Sequence, residues 1–377
     1  MKKPLRATFG ITLLILLSNN TYFGQNDSIK KQDTTGKIIL GAYIENYYAY
    51  DLDAQKNQVK QPFYYNHAQR NEINLNLGMI KIGYSDDNHR GQLSLMTGHY
   101  AQYNLAAEPV LLQNIYEASV GFKIKKNLWL DVGVFPSHIG YETAIGKDNI
   151  TLTRSLIAEN SPYFETGAKL NYDKGGKWAF TFLILNGWQN IKETNGDKAL
   201  GTLITFKPTT KLTINSCSFA GNEKADTAKQ YRLFHDLNFV WNPSDKFSMV
   251  LAMDIGVQQQ VKVDSVDRKW DAWHGGSLQF RYSPSKKINM GLRFEEYWDK
   301  NMVIVTPTTV VDMNTGAYRL AAYNCIGASL NFDYKPFKNV MWRTEAKYMK
   351  SDDSIFYNSD GFTDNKTTFT TALLISF

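Results

Sequence analysis

From residue 36 to the C-terminus, apolar and polar residues alternate with a period of two along most of the chain. The clearest examples are residues 73–79, 278–282, 288–295, 342–348 and 369–377. A β-strand whose two faces meet different surroundings has this period, whereas a helix has a period near 3.6. The pattern therefore predicts an all-β chain.

About sixteen such segments can be separated, each close to the ~9 to 11 residues that a tilted strand needs to cross a bilayer. The predicted strands are 36–50, 70–84, 90–103, 114–124, 127–136, 162–173, 177–188, 199–207, 210–221, 231–242, 246–259, 271–283, 286–299, 318–334, 339–350 and 366–377.

The connections between these segments alternate short and long. The short ones contain Pro, Gly, Asp or Lys, as hairpin turns do, and lie at 85–89, 125–126, 173–176, 208–209, 243–245, 284–285 and 335–338. The long ones include 51–69, 137–161, 222–230, 261–270 and 300–317. Outer-membrane barrels have short periplasmic turns and long extracellular loops. A soluble β-sandwich or propeller gives no reason for every second loop to be long, so we expect a transmembrane antiparallel β-barrel.

The N-terminus has the order of a secretory signal peptide. Lys2, Lys3 and Arg6 precede an apolar run at 7–17, which is too short to span a membrane as a helix. We expect residues 1–24 to be removed by a cut near Gln25, residues 25–35 to form a polar linker, and residues 36–377 to form the barrel. No other stretch approaches ~18 uninterrupted apolar residues, which excludes a helical membrane protein.

Composition agrees with a barrel. The chain combines 22 Tyr, 21 Phe and 8 Trp with a negative mean hydropathy, as expected where lipid-facing and lumen-facing residues alternate between aromatic girdles. The net charge of +6 falls by three when the signal peptide leaves, which is too small to indicate nucleic-acid binding. Cys217 and Cys325 are far apart in sequence. They could form a disulfide, but we favour two isolated small residues.

A barrel of this size predicts a pore, because 16 to 18 strands leave an aqueous channel. Charged side chains on the face opposite the apolar residues are expected to line that channel: Arg281, Arg293, Glu295, Arg343, Glu345 and Lys347. Toward lipid, a mid-bilayer Arg or Lys costs ~2 to 4 kcal/mol. They are interpreted as a hydrated wall of mixed sign, although each could equally be a paired wall residue without a role in selectivity.

The loop at 137–161 is the candidate constriction. It contains Glu142, Asp148, Arg154 and Glu159, and its 149–160 part could form a short helix that stops before Pro162. It follows the fifth predicted strand, and in general porins the loop after the fifth strand narrows the channel. The alternative is a solvated outer loop.

The last strand places Phe369, Thr371, Leu373, Ile375 and Phe377 on one face. A terminal aromatic residue on such a strand resembles the signal by which barrels are recognised for assembly, so Phe377 is the predicted assembly signal.

A family resemblance lies in the middle of the chain. Residues 133–136 read Gly-Val-Phe-Pro, residues 140–142 read Gly-Tyr-Glu, and Asn149 is followed by Thr-Arg-Ser at 153–155. These short motifs resemble the OmpL-like β-barrel porin family of Gram-negative bacteria, with Thr153 standing where a serine is expected. The resemblance implies a general diffusion porin and supplies no catalytic residues.

Other functions were weighed against the porin. His274 and Ser277 are three apart on a strand and therefore lie on opposite faces, and Asp86 with Asp87 sits in a predicted turn. No nucleotide-binding, zinc-protease or serine-hydrolase motif occurs in the sequence. We therefore expect no enzyme, no cofactor and no metal. A substrate-specific channel or a surface adhesin remains the alternative.

The expected partners follow from a porin in the cell outer membrane. They are outer-membrane lipid, small hydrophilic solutes and ions, the barrel assembly machinery and, as a possibility, two further copies in a homotrimer. Nucleic acid is not among them.

The predicted faces can be tested by substitution. Leu292→Arg should impair assembly because it places a charge against lipid. A charged residue at Asn289 or Gly291, on the opposite face, should be tolerated better. Folded yield in detergent measures this, and equal damage on both faces would contradict the predicted register.

Overall fold

The alternating segments form a closed antiparallel barrel of sixteen strands in a computed structural model of the chain. The structure describes residues 36–52, 63–261, 269–305, 309–311, 318–358 and 361–377. The predicted signal peptide at 1–24 and linker at 25–35 lie outside the described residues.

The barrel strands follow one another around the wall in chain order, and β1 pairs with β20 to close it. They are β1 Lys37–Asp51, β2 Ile73–Ser85, β3 His89–Thr97, β4 Ile115–Lys125, β5 Leu128–Pro136, β6 Phe164–Asp173, β7 Trp178–Leu185, β8 Ala199–Thr209, β9 Leu212–Asn222, β10 Tyr231–Ser244, β11 Phe247–Gln259, β12 Trp270–Ser285, β13 Ile288–Asp299, β16 Tyr323–Phe337, β17 Val340–Ser351 and β20 Asn365–Ser376. Two small hairpins lie in loops: β14 Thr309–Val311 with β15 Tyr318–Leu320, and β18 Phe356–Asn358 with β19 Gly361–Thr363.

The predicted strand number and order are confirmed, and two boundaries are wrong. The strand predicted at 90–103 ends at Thr97, because Gly98 has φ 114° and a Cβ there would lie 2.6 Å from the Asn76 carbonyl oxygen. A short helix, α1 His99–Asn104, follows it. The strand predicted at 318–334 begins at Tyr323. Its expected first residues belong to the hairpin strand β15.

The outer surface has the layout of a lipid-facing wall. Exposed aromatic residues mark the periplasmic ends of the strands: Tyr84, Phe122, Tyr172, Trp178, Trp241, Tyr282, Tyr334, Phe337, Trp342 and Phe377. Others mark the extracellular ends: Tyr50, Tyr231, Trp270 and Tyr348. Aliphatic residues such as Val120, Met253 and Leu330 lie exposed between them. Two aromatic girdles around an apolar band are the signature of an outer-membrane barrel.

The expectation that residues 73–79 keep one face to lipid is wrong after Leu75. A β-bulge shifts the register between β1 and β2, so Glu45 pairs with Leu77 while Asn46 pairs with Leu75. The extra residue, Asn76, changes the face of everything that follows it. As a result Ile73 is 81% exposed, whereas Leu77 is fully buried inside the barrel.

The interior of the extracellular half is packed rather than open. Side chains from the wall and from inward-folded loops form one hydrophobic cluster around Phe63, Phe135, Leu156, Trp273 and Tyr323. A second cluster contains residues of α1 and the β1–β3 wall. Among the described residues, no helix has the length and apolar character needed to cross a membrane.

A glycine pair shapes the wall beside loop 137–161. Gly133 on β5 pairs with Gly167 on β6, and both have positive φ angles. A Cβ at Gly133 would lie 2.1 Å from the Ala118 carbonyl oxygen. Only glycine fits such close backbone approach. The glycine that opens the Gly-Val-Phe-Pro motif at residues 133–136 thus has a local structural cause.

The C-terminal residue completes the barrel seam. The Phe377 amide donates to the Ala42 carbonyl at 3.1 Å, and the Ala42 amide donates to the Phe377 carbonyl at 2.7 Å. Its role as an assembly signal stays a prediction.

The structure supports Leu292 as a lipid-facing position for the substitution test but not Gly291 as its inward-facing control. Leu292 lies between the exposed residues Met290 and Phe294, as predicted. Gly291 faces inward, but a Cβ there would lie 2.9 Å from the Ile150 carbonyl oxygen of loop 137–161. A charged residue at Gly291 would collide with the loop. Asn289 is also buried, but its amide nitrogen lies 3.4 Å from the Asp333 carboxylate, so Asn289→Lys is the appropriate control.

Candidate functional site

The loop at 137–161, which we call the inward loop, folds into the barrel and touches the opposite wall. Its first turn is tied to β6, where the Glu165 carboxylate accepts from Ser137 Oγ at 3.1 Å and contacts His138 Nδ1 at 2.9 Å. The His138 Nε2 atom contacts the Ser218 carbonyl oxygen at 2.9 Å. These contacts direct the chain inward directly after β5.

The predicted helix within the loop is shorter than expected. A 3-10 turn covers Gly146–Asp148, and α2 covers only Leu156–Glu159. Ser155 caps α2 by accepting from the Ala158 amide. The chain between these turns bends at residues 149–153 and has no regular secondary structure, which leaves its backbone groups available for bonds to the wall.

Arg343 on β17 holds the first part of the inward loop. Its guanidinium donates to the carbonyl oxygens of Gly146, Asn149 and Ile150, the last two at 3.1 and 3.0 Å. Its Nε atom pairs with Asp333 on β16 at 2.7 Å. The planar Arg343 guanidinium therefore donates hydrogen bonds to three loop carbonyls and one carboxylate.

A second group of wall residues holds the middle of the loop. Glu345 accepts from the Thr153 amide at 2.6 Å and from Thr153 Oγ1 at 2.7 Å. Arg293 pairs with Glu345 at 3.1 Å and donates to the Thr153 carbonyl at 2.6 Å. Buried charges are tolerated only when they are paired and hydrogen-bonded. The Glu345 carboxylate has both an ion-pair partner and hydrogen-bond donors.

The start of α2 is held by Glu295 and Lys347. Glu295 accepts from the Leu156 amide at 2.7 Å and pairs with Lys347 at 2.9 Å. Lys347 also donates to the Arg154 carbonyl at 3.3 Å. The wall residues of β13 and β17 thus act together on one loop.

The interpretation of these wall residues as hydrated is wrong for five of the six. Arg293, Glu295, Arg343, Glu345 and Lys347 point into the barrel, but each is at most 5% exposed because the inward loop covers it. Arg281 is the exception. It is half-buried and donates to Ser248 Oγ at 3.1 Å.

The four predicted constriction residues all lie on the inward loop, in different environments. Glu142 is half-buried and accepts from the Ser155 amide at 3.0 Å, and Asp148 is half-buried and pairs with Lys147 at 2.7 Å. Arg154 is almost fully buried and donates to the Leu152 and Ala144 carbonyls. Glu159 is buried and accepts from the Tyr65 amide at 2.9 Å.

Burial by itself would lower the pKa of Arg154. The pKa is instead raised above its ordinary value, because Tyr163 and the carboxylates of Glu45 and Glu142 favour the charged form. Arg154 is therefore a permanent cation inside the loop.

A second loop also enters the barrel. In the part of the β1–β2 loop from residue 63 onward, His67 contacts Glu45 at 2.6 Å and Arg70 pairs with Asp51 at 2.8 Å. Two cavities flank α2. One is lined by Glu142, Asp236 and Asp254, and the other by His67, Arg154 and Lys347.

The sequence analysis did not predict that glycines in the barrel wall leave space for the inward loop. A Cβ at Gly275 would lie 2.6 Å from Ile157 Cγ2, and one at Gly201 would lie 2.8 Å from the His138 ring. Together with Gly291, these glycines stand on the inward face of their strands, where a side chain would otherwise point into the lumen. Glycine at inward strand positions is the signal that could have identified the contact surface.

Neither a metal cluster nor a disulfide is found in the part of the chain that the structure describes. No group of three or more His, Cys, Asp or Glu side chains there could hold a metal ion. Cys217 and Cys325 are both buried and free. His274 faces outward and stacks on Trp298, while Ser277 is buried inside, so the two lie on opposite faces.

A closed sixteen-stranded barrel with aromatic girdles and an inward loop after its fifth strand defines the class of outer-membrane porins. The family model described as "Putative beta-barrel porin-2, OmpL-like" matches residues 37–377. The chain belongs to this family and is an outer-membrane porin. No curated protein sequence matches it.

Solved porin structures share the fold at low sequence identity. An anion-selective porin from Comamonas acidovorans is 8% identical with a TM-score of 0.60, and the match covers 91% of this chain and 100% of that one. The outer membrane channel DcaP of Acinetobacter baumannii is 13% identical with a TM-score of 0.59, covering 92% and 99%. Outer-membrane expressed OmpT of Vibrio cholerae is 9% identical with a TM-score of 0.56, covering 93% and 100%.

The loop anchors should contribute strongly to stability. Arg293→Met keeps most of the side-chain volume but leaves Glu295 and Glu345 without their shared cation, and breaking such a buried pair costs about 3 to 5 kcal/mol. We expect a clearly lower midpoint of thermal unfolding in detergent.

Lys350→Met is the matched control for this substitution. Lys350 lies on β17 in an exposed pair with Asp364, and exposed pairs contribute about 0 to 1 kcal/mol. Equal midpoints for the two variants would contradict a stabilising role for the buried anchors.

Proposed function

We propose that the inward loop is the constriction of a passive pore for small hydrophilic solutes and ions, with no chemical step. The observation that carries the proposal is the set of bonds from the loop across the lumen to β13, β16 and β17. A loop held on both walls cannot lie outside the barrel as a solvated segment. It narrows whatever path crosses the lumen.

The periplasmic half of the lumen supports this reading. Several inward polar residues there are half-buried, among them Gln92, Glu117, Asn171, Arg281 and Lys335, although others such as Asp131 and Asp333 are buried. A sixteen-stranded barrel is wide enough for an aqueous channel where loops do not fill it. Solvent would therefore reach the inward loop from the periplasmic side.

On the loop, Glu142 and Asp148 are the carboxylates placed to act on passing ions. Both are half-buried, whereas Arg154 and Glu159 are buried and bonded within the loop. We assign Arg154 and Glu159 to holding the shape of the constriction, and Glu142 and Asp148 to its charge.

The extracellular half of the lumen is packed with side chains, which favours a narrow passage. A narrow passage could select one solute, so a substrate-specific channel is the second candidate function. Inward residues at that level, such as Tyr47, Leu185 and Trp273, are buried. In planar bilayers, conductance that rises in proportion to salt would support a general pore. Conductance that saturates with one solute would support the specific channel.

The remaining partners are proposals of the same kind. We propose export with removal of residues 1–24, insertion by the barrel assembly machinery through Phe377, and a homotrimer. The trimer is supported by an OmpT structure of Vibrio cholerae described as a trimer form. Light scattering of the detergent-solubilised protein measures the number of copies, and a monomer would remove the trimer.

The constriction is tested by neutralising its two half-buried carboxylates. Glu142→Gln with Asp148→Asn should leave discrete conductance steps in planar bilayers but shift the reversal potential in a KCl gradient toward anions. The shift is expected because two negative charges leave the narrowest part of the path.

Asp364→Asn provides the matched control, since Asp364 lies in an exposed extracellular pair with Lys350. An unchanged reversal potential in the double variant would take the inward loop out of the constriction. Silence of the unmodified protein at every salt concentration would contradict the pore itself.

A further inference from the structure

Two carboxylates lie opposite each other on the inner wall beside the inward loop. Asp236 on β10 pairs directly with Asp254 on β11 in the sheet register, so both side chains lie on the inward face. They are 0% and 6% exposed, respectively. Like charges directly opposite each other on neighbouring strands are destabilising, and burial raises the cost of each charge. The pair therefore requires a compensating positive charge or a shared proton.

The described side chains do not supply that positive charge. Within the described part of the chain, neither carboxylate forms an ion pair with Lys, Arg or His, and Asp236 Oδ2 and Asp254 Oδ1 are buried without a hydrogen-bond partner. Asp236 accepts from neutral groups such as Asn238 Nδ2, at 2.7 Å. The charges of Asp236 and Glu142, which act on Asp254, are both negative. Asp254 is thus a buried carboxylate without a cationic partner.

Both carboxylates line the first of the two cavities beside α2, together with Glu142 of the inward loop. We call this space the acidic cavity. Its open space is about that of one water molecule. Glu142 is half-buried, so a cation that enters the cavity would meet it before the two buried carboxylates. Much of the remaining lining is apolar or aromatic: Ile139, Tyr141, Ile157, Ala158, Pro162 and Tyr163.

We propose that the acidic cavity binds a protonated amino group, that of the ammonium ion or of a small primary amine. The binding itself does not depend on the proposed pore, whereas a role for the site in solute passage rests on that pore. A protonated primary amino group is close in size to a water molecule. It carries three N–H donors, and three carboxylates line the cavity.

The arrangement favours an amino group over a metal ion. No group of three or more acidic, His or Cys side chains among the described residues is arranged to hold a metal. A charge-assisted N–H···O contact spans about 2.7 to 2.9 Å, whereas a bond from Ca²⁺ to oxygen spans about 2.3 to 2.6 Å. An amino group therefore fits carboxylates that are too widely spaced for a metal. The apolar lining suits the alkyl stem of a primary amine.

Binding is measured first, by calorimetric titration of the folded protein in detergent at low ionic strength with methylammonium chloride and with ammonium chloride. Asp254→Asn keeps the side-chain size and removes one charge. It should weaken binding about tenfold or more, the effect of losing one charge-assisted hydrogen bond. Asp236→Asn should have a similar effect. Asp245→Asn, in the exposed turn of the same hairpin, is the matched control and should bind as the unmodified protein does.

The choice of salts separates an amino group from other cations. Tetramethylammonium chloride carries the same charge without an N–H donor and should not bind. Binding of ammonium alone would support the free ion as the ligand, and binding of both titrants would support a primary amine. Competition by sodium or potassium chloride at equal concentration would overturn the assignment to amino groups. Absence of binding, or equal affinity in Asp254→Asn, would overturn the site and leave the pair with a shared proton.

Thermal unfolding distinguishes a binding role from a structural one. Without ligand, Asp254→Asn should have a midpoint equal to or above that of the unmodified protein, because the substitution removes a repulsion. Methylammonium should raise the midpoint of the unmodified protein and not that of the variant. A clearly lower midpoint for the ligand-free variant would overturn the argument from unpaired charge.

Conductance tests the role of the site in the pore. Methylammonium added to KCl should reduce the single-channel conductance of the unmodified protein in planar bilayers, and its effect on Asp254→Asn should be several-fold smaller. Equal reduction in both would overturn the role of the cavity in solute passage. Calorimetric binding without any conductance steps would contradict the proposed pore and support the site.

Discussion

Backbone hydrogen bonding in a medium without water is the constraint on which the rest of this structure depends. In lipid every N–H and C=O group needs a partner inside the protein, so strands can cross only as a barrel without free edges. The pairing of β1 with β20 meets that demand. It also sets the interior apart from lipid, which allows charged residues such as Arg293 and Glu345 to lie at membrane depth.

The interior is governed by a second requirement, that buried charge be compensated. The wall residues on β13 and β17 are covered by the inward loop, and their charges are balanced by one another and by loop backbone groups. Desolvation makes such a network costly to break rather than strongly favourable to form. It fixes one loop position, since any shift of the loop would leave charges without partners.

These two requirements divide the lumen into unlike halves. Loops and hydrophobic clusters fill the extracellular half, while the periplasmic half contains polar and charged residues, some half-buried and others, such as Asp131 and Asp333, buried in ion pairs. The inward loop, which carries Glu142, Asp148 and Lys147, is held in the lumen by the buried anchors on β13 and β17.

The sequence by itself determined the strands, their order and the lipid-facing side of most of them. Period-two alternation and turn chemistry are local, so they can be recognised without knowing what each face touches. The family followed from short motifs around Gly133 and Arg154. The inward position of the loop could be expected from its place after the fifth strand, but its partners could not.

What only the tertiary structure decided was which inward charges are covered. Arg281 and Arg293 look alike in sequence, each on the inward face of a neighbouring strand, yet one is half-buried and the other fully buried. The difference arises from residues more than a hundred positions away, at Thr151 and Thr153. The bulge at Asn76 is a similar case, because a single unpaired residue reverses a face that alternation alone would continue. Alternation reports that a side chain points into the lumen, whereas exposure there depends on packing by distant segments, which no local pattern records.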